Sequence, residues 1–470
     1  MKPLTAPACM LVALLVAACV SVPKQPSPSS SPVLVTPAPS APTTAQPTLT
    51  PGEPPTSAPS ILPTESAASA TDTPPPSATE SPEAALSPPP EGTPGTIGEK
   101  KGLIVVWDQV PGSGISDSSG FSDVASANGV LVAVGQSGQD FYSGVWNSSD
   151  GLNWTAPDFP DSGNASIQLA AITAGGPGFV VVGSDYSGIG GGVVWISTDG
   201  QSWERIDADV FANQTLSRVG VAGDRLVAFS LEGGVFTSAD GRTWESSSDP
   251  AAQTVAAGLL TLVGDGSTLW AFSRDTAEPR QSRQTILVWR SDDGSIWTQT
   301  NKIDGSEGAS SAWAAAGPNG LVVISNAYLH QTSVWQTFYS ADGTTWTPSE
   351  QSPTDITDVI STEAGFVAVG HYNTGQGCAI IETDDVGVTW TSVDGITWRH
   401  MPEHGWNGRE IQVVDQSGST LAGLGVDWNL YYDNKNSGIL WTFELPTPAE
   451  DLAPSPSPTP EPTPVAGCGP

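Results

Sequence analysis

The residues best suited to recognition chemistry are aromatic side chains in short polar stretches, which contain six of the seven tyrosines. Tyr and Trp offer stiff, amphipathic surfaces for sugar rings or peptide segments, while acids and amides fix a ligand's orientation. The alternative, that these are ordinary exposed loop residues, stays open at this stage. The candidate ligand-binding residues are Tyr142, Tyr186, Arg274, Tyr328, His330, His371, Tyr372, Asp427, Trp428 and Tyr431.

Other chemistry finds little support in the sequence. The stretch 273–285 holds Arg274, Arg280 and Arg283, but no HExxH, GxSxG, P-loop or CxxC motif occurs in the chain. His404 is isolated, and we interpret it as solvated. Acidic turns such as "SDDGS" (291–295) leave bound calcium open, yet their spacing falls short of an EF-hand loop. We therefore expect no metal and no cofactor.

The elements that position the candidate residues come from a repeat. "VWNSSDGLNW" (145–154) recurs five more times, the last time as "TWTSVDGITW" (389–398). Ser lies two residues before each Asp, Gly one after it and Trp four after it, and an aromatic residue lies four before it. The repeated acids are Asp150, Asp199, Asp240, Asp293, Asp342 and Asp394.

Each repeat also contains short strand-like runs. An apolar run such as "VLVAVG" (130–135) or "FVAVG" (366–370) lies about 15 residues upstream of the Asp, after one further short segment. The Ser-x-Asp-Gly-x-x-Trp motif is typical of a tight hairpin, because Gly supplies the positive φ while Ser and Asp bond the turn's backbone. Four strands in roughly 49 residues predict one blade of a β-propeller.

These six motifs resemble the Asp-box, or bacterial neuraminidase repeat, family of sialidase-like β-propellers. The motifs and the strands between them cover nearly all of 121–401, although Gly follows Asp directly, which shortens the fuller family pattern. The resemblance implies that the six motif Asp residues are structural and lie away from the ligand-binding face. Ligand contacts are then expected in the loops between the second and third strands, where the tyrosines fall.

Sialidase chemistry itself is poorly supported. The resemblance implies three arginines around a carboxylate, a Tyr–Glu pair and an Asp, but no Arg-Ile-Pro motif precedes the first repeat. Other glycosidases of this class use two carboxylates across a groove, and Asp140, Asp185 or Asp427 could supply them. The leading hypothesis is a non-catalytic module that binds or scaffolds a glycan or protein partner. Its alternative is an extracellular glycoside hydrolase of sialidase-like type.

The number of blades depends on the ends of the folded region. The segments 410–427 and 437–445 repeat the first three strands without the motif, and 102–111 can supply the missing fourth strand. A shared last blade would close the ring without an open edge. The sequence therefore predicts an all-β, seven-bladed propeller over 100–446, with six blades plus a flanking hairpin as the alternative.

The flanking segments suggest export. Lys2, the apolar run 10–18 and "VAAC" ending at Cys19 are typical of a bacterial lipoprotein signal over 1–19, with Cys19 lipidated. Pro, Ser and Thr dominate 20–99 and 447–470, which predicts a disordered stalk and tail. We expect attachment to the outer side of the cytoplasmic membrane through a lipid anchor, or otherwise secretion.

Charge and cysteine content narrow the partners further. A net charge of −33 disfavours nucleic-acid binding, so the expected partners are a glycan or an extracellular protein, and we expect a monomer. Cys9 leaves with the signal, and pairing of Cys378 with Cys468 is permitted but stays open.

One stretch, "TDDVGVTWTSVDGITW" (383–398), contains two versions of the motif. Thr383, Asp385, Gly387 and Trp390 form one set, and Ser392, Asp394, Gly395 and Trp398 form the other. Alignment with the other repeats predicts that Trp390 belongs to a strand and that the second set is the turn.

Overall fold

The computed structural model describes residues 103–445, except 116, 139, 188–189, 278–283, 330–331, 374–384, 402–407, 429 and 431–436. Within these described ranges the chain is mostly β-strand, which confirms the all-β prediction. No helix of the described chain is long and apolar enough to cross a membrane.

Five antiparallel sheets follow one another along the chain, and each is formed by consecutive strands. Sheet I has three described strands; an isolated bridge from Asn147 to Thr155 continues it. The other four have four strands each. The strands are, for sheet I, β2 (Ser118–Ala127), β3 (Val130–Ser137) and β4 (Tyr142–Ser148); for sheet II, β5 (Ile167–Gly175), β6 (Gly178–Asp185), β7 (Gly191–Ser197) and β8 (Glu204–Ile206); for sheet III, β9 (Leu216–Ala222), β10 (Arg225–Ser230), β11 (Val235–Ser238) and β12 (Glu245–Ser246); for sheet IV, β13 (Leu259–Gly264), β14 (Leu269–Arg274), β15 (Ile286–Ser291) and β16 (Thr298–Ile303); and for sheet V, β17 (Ala309–Gly317), β18 (Gly320–Leu329), β19 (Thr332–Ser340) and β20 (Thr347–Pro348).

Sheet VI is larger and has two halves. A single parallel pair, Val386 with Arg409, joins them. The N-terminal strand β1 completes the second half by pairing antiparallel with the last strand, Asp108 opposite Thr442. The first half contains β21 (Ile356–Thr362), β22 (Gly365–Asn373), β23 (Asp385–Ser392) and β24 (Arg399–His400), and the second contains β25 (Arg409–Ser417), β26 (Thr420–Asp427), β27 (Gly438–Glu444) and β1 (Asp108–Val110).

The first strands of these units form a closed ring. Among the described strands, β2 packs on β5, and contacts continue through β9, β13, β17, β21 and β25 back to β2. Apolar side chains fill the seams between neighbouring units. In the seam between sheets I and II, for example, Val132, Val181 and Trp195 are completely buried or nearly so. Burial of such aliphatic and aromatic side chains is the main stabilisation of the fold.

The six repeated motifs form one kind of turn, here named the Ser–Asp–Gly–Trp turn. In the turn of sheet II, the Ser197 hydroxyl donates to Asp199 Oδ1 at 3.1 Å and accepts the Gly200 N–H at 2.8 Å. Asp199 Oδ1 also accepts the backbone N–H groups of Gln201 and Ser202. The Gly has a φ of +73°, which explains why no other residue replaces it.

The doubled stretch resolves as predicted. Strand β23 runs through Trp390, and Ser392 Oγ donates to Asp394 Oδ1 at 3.1 Å, while Trp398 Nε1 donates to the Gly395 carbonyl. The second set is therefore the turn.

Replacing Asp199 by Ala should lower the free energy of unfolding by about 1–2 kcal/mol, because two backbone N–H groups lose their acceptor. These two hydrogen bonds also lower the pKa of Asp199. Asp199→Asn keeps Oδ1 as an acceptor, so its free energy of unfolding should fall by less. Urea denaturation of both variants tests this, and equal losses would contradict the assignment of Oδ1 as the acceptor.

Two features differ from the sequence prediction. A helix, α1 (Pro250–Gly258), lies between sheets III and IV; Asp249 caps it by accepting the Ala251 N–H, and Pro250 begins it. In addition, Tyr142, Tyr328 and Tyr372 lie within β4, β18 and β22 and not in loops. The strands of these hairpins extend further than their apolar cores, because polar residues also pair there.

Candidate functional site

The ends of the sheets define two faces. The Ser–Asp–Gly–Trp turns follow the third strand of a sheet, so they lie at the end opposite the connection between strands two and three. In sheet VI, Tyr372 pairs with Val386 near one end of β23, whereas Ser392 at the other end begins the turn. We call the end with Tyr372 the loop face.

Three aromatic residues line the seam between sheet V and the first half of sheet VI, toward the loop face. The rings of Trp313 (β17) and Trp335 (β19) are stacked, with centroids 5.4 Å apart and an interplanar angle of 26°. Both are partly exposed, and both pack with Tyr372 against the core of this seam. We call Trp313, Trp335 and Tyr372 the aromatic platform.

Trp313 occupies a position that holds an acid elsewhere. It pairs with Ile324 as Asp123 pairs with Val134 and as Asp358 pairs with Val369. Sheet V thus replaces a hydrogen-bonding carboxylate of the first strand with a large ring. The stacked pair is consequently a local departure from the repeat, as expected of a residue that serves a site and not the fold.

A buried acid lies in the next seam. Glu410 at the start of β25 is 2% exposed, and its Oε2 lies 2.5 Å from Nδ1 of His371, whose side chain is 35% exposed. Gln412 Nε2 donates to the other oxygen of Glu410 at 2.7 Å, and Gln412 Oε1 accepts the Phe121 N–H at 2.8 Å. This arrangement holds the histidine ring and gives His371 an ion-pair partner whenever it is protonated.

Asp427 and Trp428 lie beside this pair. Asp427 is buried, and Arg409 Nε donates to its Oδ2 at 2.8 Å. The backbone N–H of Trp428 donates to the Gly408 carbonyl at 2.7 Å. Asp427 therefore lies at the end of strand β26 and not in a loop, and its ion pair with Arg409 covers it.

The remaining candidates are dispersed. Tyr186 is 57% exposed on sheet II and donates to Gln168, and Tyr142 begins β4 in sheet I. Arg274 ends β14 in sheet IV. His330 and Tyr431, like Arg280, Arg283, Cys378 and His404, lie outside the described residues. Among the described members of the predicted set, the structure therefore brings together only His371, Tyr372, Asp427 and Trp428.

The acids considered for hydrolysis do not converge either. Asp140 is exposed in sheet I. Asp185 in sheet II accepts from Arg205 at 2.8 Å, and Arg205 also bonds Asp161 and Asp207. Burial alone would raise the pKa of Asp185, but hydrogen bonds from Arg205 and Ser187 lower it. In the described chain, no group of three or more His, Cys, Asp or Glu side chains could hold a metal ion.

Three further acids line the inside of the ring, where the first strands meet. Asp123 Oδ2 accepts the Ile172 N–H from sheet II, and Asp358 Oδ2 accepts the Val414 N–H from the second half of sheet VI, both at 2.9 Å. Burial raises the pKa of Asp358 to about 8, and that of Asp123 and Asp415 to about 6. Asp123 and Asp358 thus each bond the backbone of the first strand in the neighbouring unit.

Sequence reasoning missed Trp313, Glu410 and the three inner acids. Trp313 could have been noticed, because it lies in "SSAWAAAG" (310–317) and fits neither aromatic position of the repeat. Glu410 carries no such signal, since an acid at the start of a strand is usually exposed.

Sheets of consecutive antiparallel strands, arranged around a ring of first strands, define a β-propeller, and the class prediction is confirmed at this level. Searches of known protein families and of curated proteins find no match. Solved structures similar to the chain include YCF48 bound to D1 peptide (16% identity, 73% of this chain and 100% of that chain, TM-score 0.47) and YCF48 from Cyanidioschyzon merolae (16%, 72% and 98%, 0.46). The α-L-arabinanase of Penicillium chrysogenum complexed with arabinobiose is also similar (13%, 74% and 94%, 0.38). At these identities the similarity concerns the fold alone.

Proposed function

We propose that the chain is a non-catalytic binding module whose glycan or extracellular protein ligand contacts the aromatic platform. The observation that carries this proposal is the stacked, partly exposed pair Trp313–Trp335. Trp rings of the turns, such as Trp154 and Trp398, are buried in the seams, so they serve the fold. A partly exposed pair outside the repeat pattern is available to a ligand.

Binding is favoured over hydrolysis by the state of the acids. Glycoside hydrolysis requires two carboxyl groups facing each other across the substrate. Asp185 and Asp427 are instead engaged by arginines, on different sheets, and Glu410 faces His371. These contacts orient and neutralise the acids, which suits a fixed binding surface better than proton transfer to a sugar.

We further propose that the two halves of sheet VI are separate blades, which makes seven blades with turns of the Asp-box class. Among the described residues, only one β-ladder pair joins the halves, and an apolar core that includes Leu103, Val367, Ile411 and Trp441 lies between them. A core of this kind separates neighbouring blades elsewhere in the ring.

The export proposal rests on the sequence. We propose lipidation at Cys19 and attachment at the bacterial cell surface; Cys19 and the predicted linker 20–99 lie outside the described residues.

A parallel screen of the purified chain tests the function. A glycan array and a panel of extracellular proteins should yield a ligand, whereas incubation with a polysaccharide panel should release no reducing sugar. Any release of reducing sugar by the wild type would contradict the non-catalytic function, and release that persists in the Trp335→Ala variant would contradict a role of the platform as well.

A further inference from the structure

The charge distribution around the aromatic platform is one-sided. No Lys or Arg occurs between Lys302 and Arg399, whereas eleven Asp and Glu residues do. This stretch includes β17, β18 and β19 of sheet V and β21, β22 and β23 of sheet VI, which are the strands that carry the platform. The platform is therefore built by the part of the propeller that has no basic side chain of its own except histidine.

An exposed acid, Asp355, lies beside strand β22, which carries Tyr372 of the platform. The carbonyl of Asp355, directly before β21, accepts the N–H of His371, the residue next to Tyr372. Asp355 has an exposed surface. Partial desolvation of its carboxyl group nevertheless raises the pKa of that group. A cation placed beside this carboxyl would favour its ionised form.

Aromatic faces and carboxylates attract the same ligand chemistry. The ring quadrupole of Trp binds ammonium and guanidinium groups at its face, and it does so best where water is partly excluded. The chain already shows this contact, since the Arg290 guanidinium lies 5.7 Å from the centroid of the Trp270 ring. At a net charge of −33, long-range attraction also accelerates encounter with basic partners and repels acidic ones.

We propose that the ligand of the aromatic platform is a polypeptide segment that carries Lys or Arg side chains, which stack on Trp313 and Trp335 while Asp355 provides the opposite charge. This inference rests on the proposed binding function and narrows its ligand. A neutral sugar would stack on the rings without pairing with the Asp355 carboxylate, and a polyanion would be repelled by the negative charge.

The test measures binding of three fluorescent octapeptides to the purified full chain by anisotropy. The peptides alternate Gly with Lys, with Ser or with Glu. The Lys peptide should bind and the other two should not, and raising the salt concentration from 0.05 to about 0.5 M should weaken binding because the charges lie near the surface. Trp335→Ala should lower the affinity for the Lys peptide at least tenfold, and the isosteric Asp355→Asn should lower it about three- to fivefold.

Ile296→Ala is the matched control, because Ile296 is 65% exposed in a turn on the opposite face, and it should leave binding unchanged. Equal affinity of wild type and Trp335→Ala for the Lys peptide would overturn the inference, as would equal binding of the Ser peptide. If a neutral oligosaccharide binds in a Trp335-dependent way and the Lys peptide does not, the inference falls while the binding function stands. Thermal unfolding of each variant confirms that it is folded.

Discussion

Replacing Gly343 by Ala should destabilise the propeller by about 2–4 kcal/mol, more than any single change in a turn's hydrogen bonds. Gly343 belongs to the turn of sheet V and has a φ of +73°, which costs an alanine about 1–2 kcal/mol. A Cβ at this position would also overlap the ring of Trp270, a buried residue of sheet IV. Forcing a methyl group into such a packed seam costs about 1–3 kcal/mol more.

Gly151→Ala isolates the second effect. Gly151 has the same role in the turn of sheet I and a φ of +72°, but the nearest atom to its added Cβ is Leu131 Cδ1 at 3.6 Å. The stability lost in Gly151→Ala should therefore be limited to the backbone cost of about 1–2 kcal/mol. Chemical denaturation of both variants compares them directly. Equal losses would mean that the turns are local hairpins that do not lock one sheet onto the next.

Stability should fall as the pH rises from about 5 to 9, by an amount on the order of 2–4 kcal/mol from Asp358. Desolvation by burial raises the pKa of Asp358 to about 8, and the charge of Asp123 adds to it. The folded chain therefore holds a proton that the unfolded chain releases near its ordinary pKa of 3.8. Because the folded state binds more protons between these values, stability is greatest below about pH 4 for this group and is lost as the pH approaches 8.

The turn acids impose the opposite dependence at lower pH. Hydrogen bonds from the Ser202 and Gln201 N–H groups lower the pKa of Asp199. The pKa values of the other five turn acids are lowered as well. Their contribution is present above the unfolded pKa and is lost as the pH falls through the folded one. Together the two groups predict maximal stability near pH 4–5.

Asp358→Asn separates the inner acid from the general repulsion of a highly acidic chain. The amide keeps an acceptor oxygen for the Val414 N–H but cannot ionise. The unfolding free energy of the variant should change much less between pH 5 and pH 9 than that of the wild type. An unchanged pH dependence would show that Asp358 ionises freely in the folded chain. Hydrogen exchange at Val414 follows the same bond directly.

The turns could be predicted from the sequence because each of their residue types has one physical task. Ser392, Asp394 and Gly395 satisfy or permit a particular backbone geometry, so spacing alone identifies them, even against the competing set around Asp385. The order of the strands could be predicted as well, because the same spacing recurs in every repeat. The helix α1 was missed, although Asp249 followed by Pro250 is a recognisable start signal.

The site was predicted only in part. Tyr372 and His371 were identified because they follow an apolar run where a strand reaches the loop face. The stacking of Trp335 on Trp313 depends on how the strands of one sheet align across their hairpins. Burial of Glu410 against His371 depends on the fit between two halves of sheet VI. Contacts of this kind arise between sheets, where no local pattern in the sequence reports them.

Affinity measurements on three proteins test the central claim, that the platform binds a ligand, most directly. The strongest-binding member of the glycan and protein panels is titrated against wild type, Trp335→Ala and Ile296→Ala. Truncating a ring at the centre of a binding surface costs about 2 kcal/mol or more, roughly a thirtyfold loss of affinity. We predict that loss for Trp335→Ala and no change for Ile296→Ala. Equal affinities of wild type and Trp335→Ala would contradict the account.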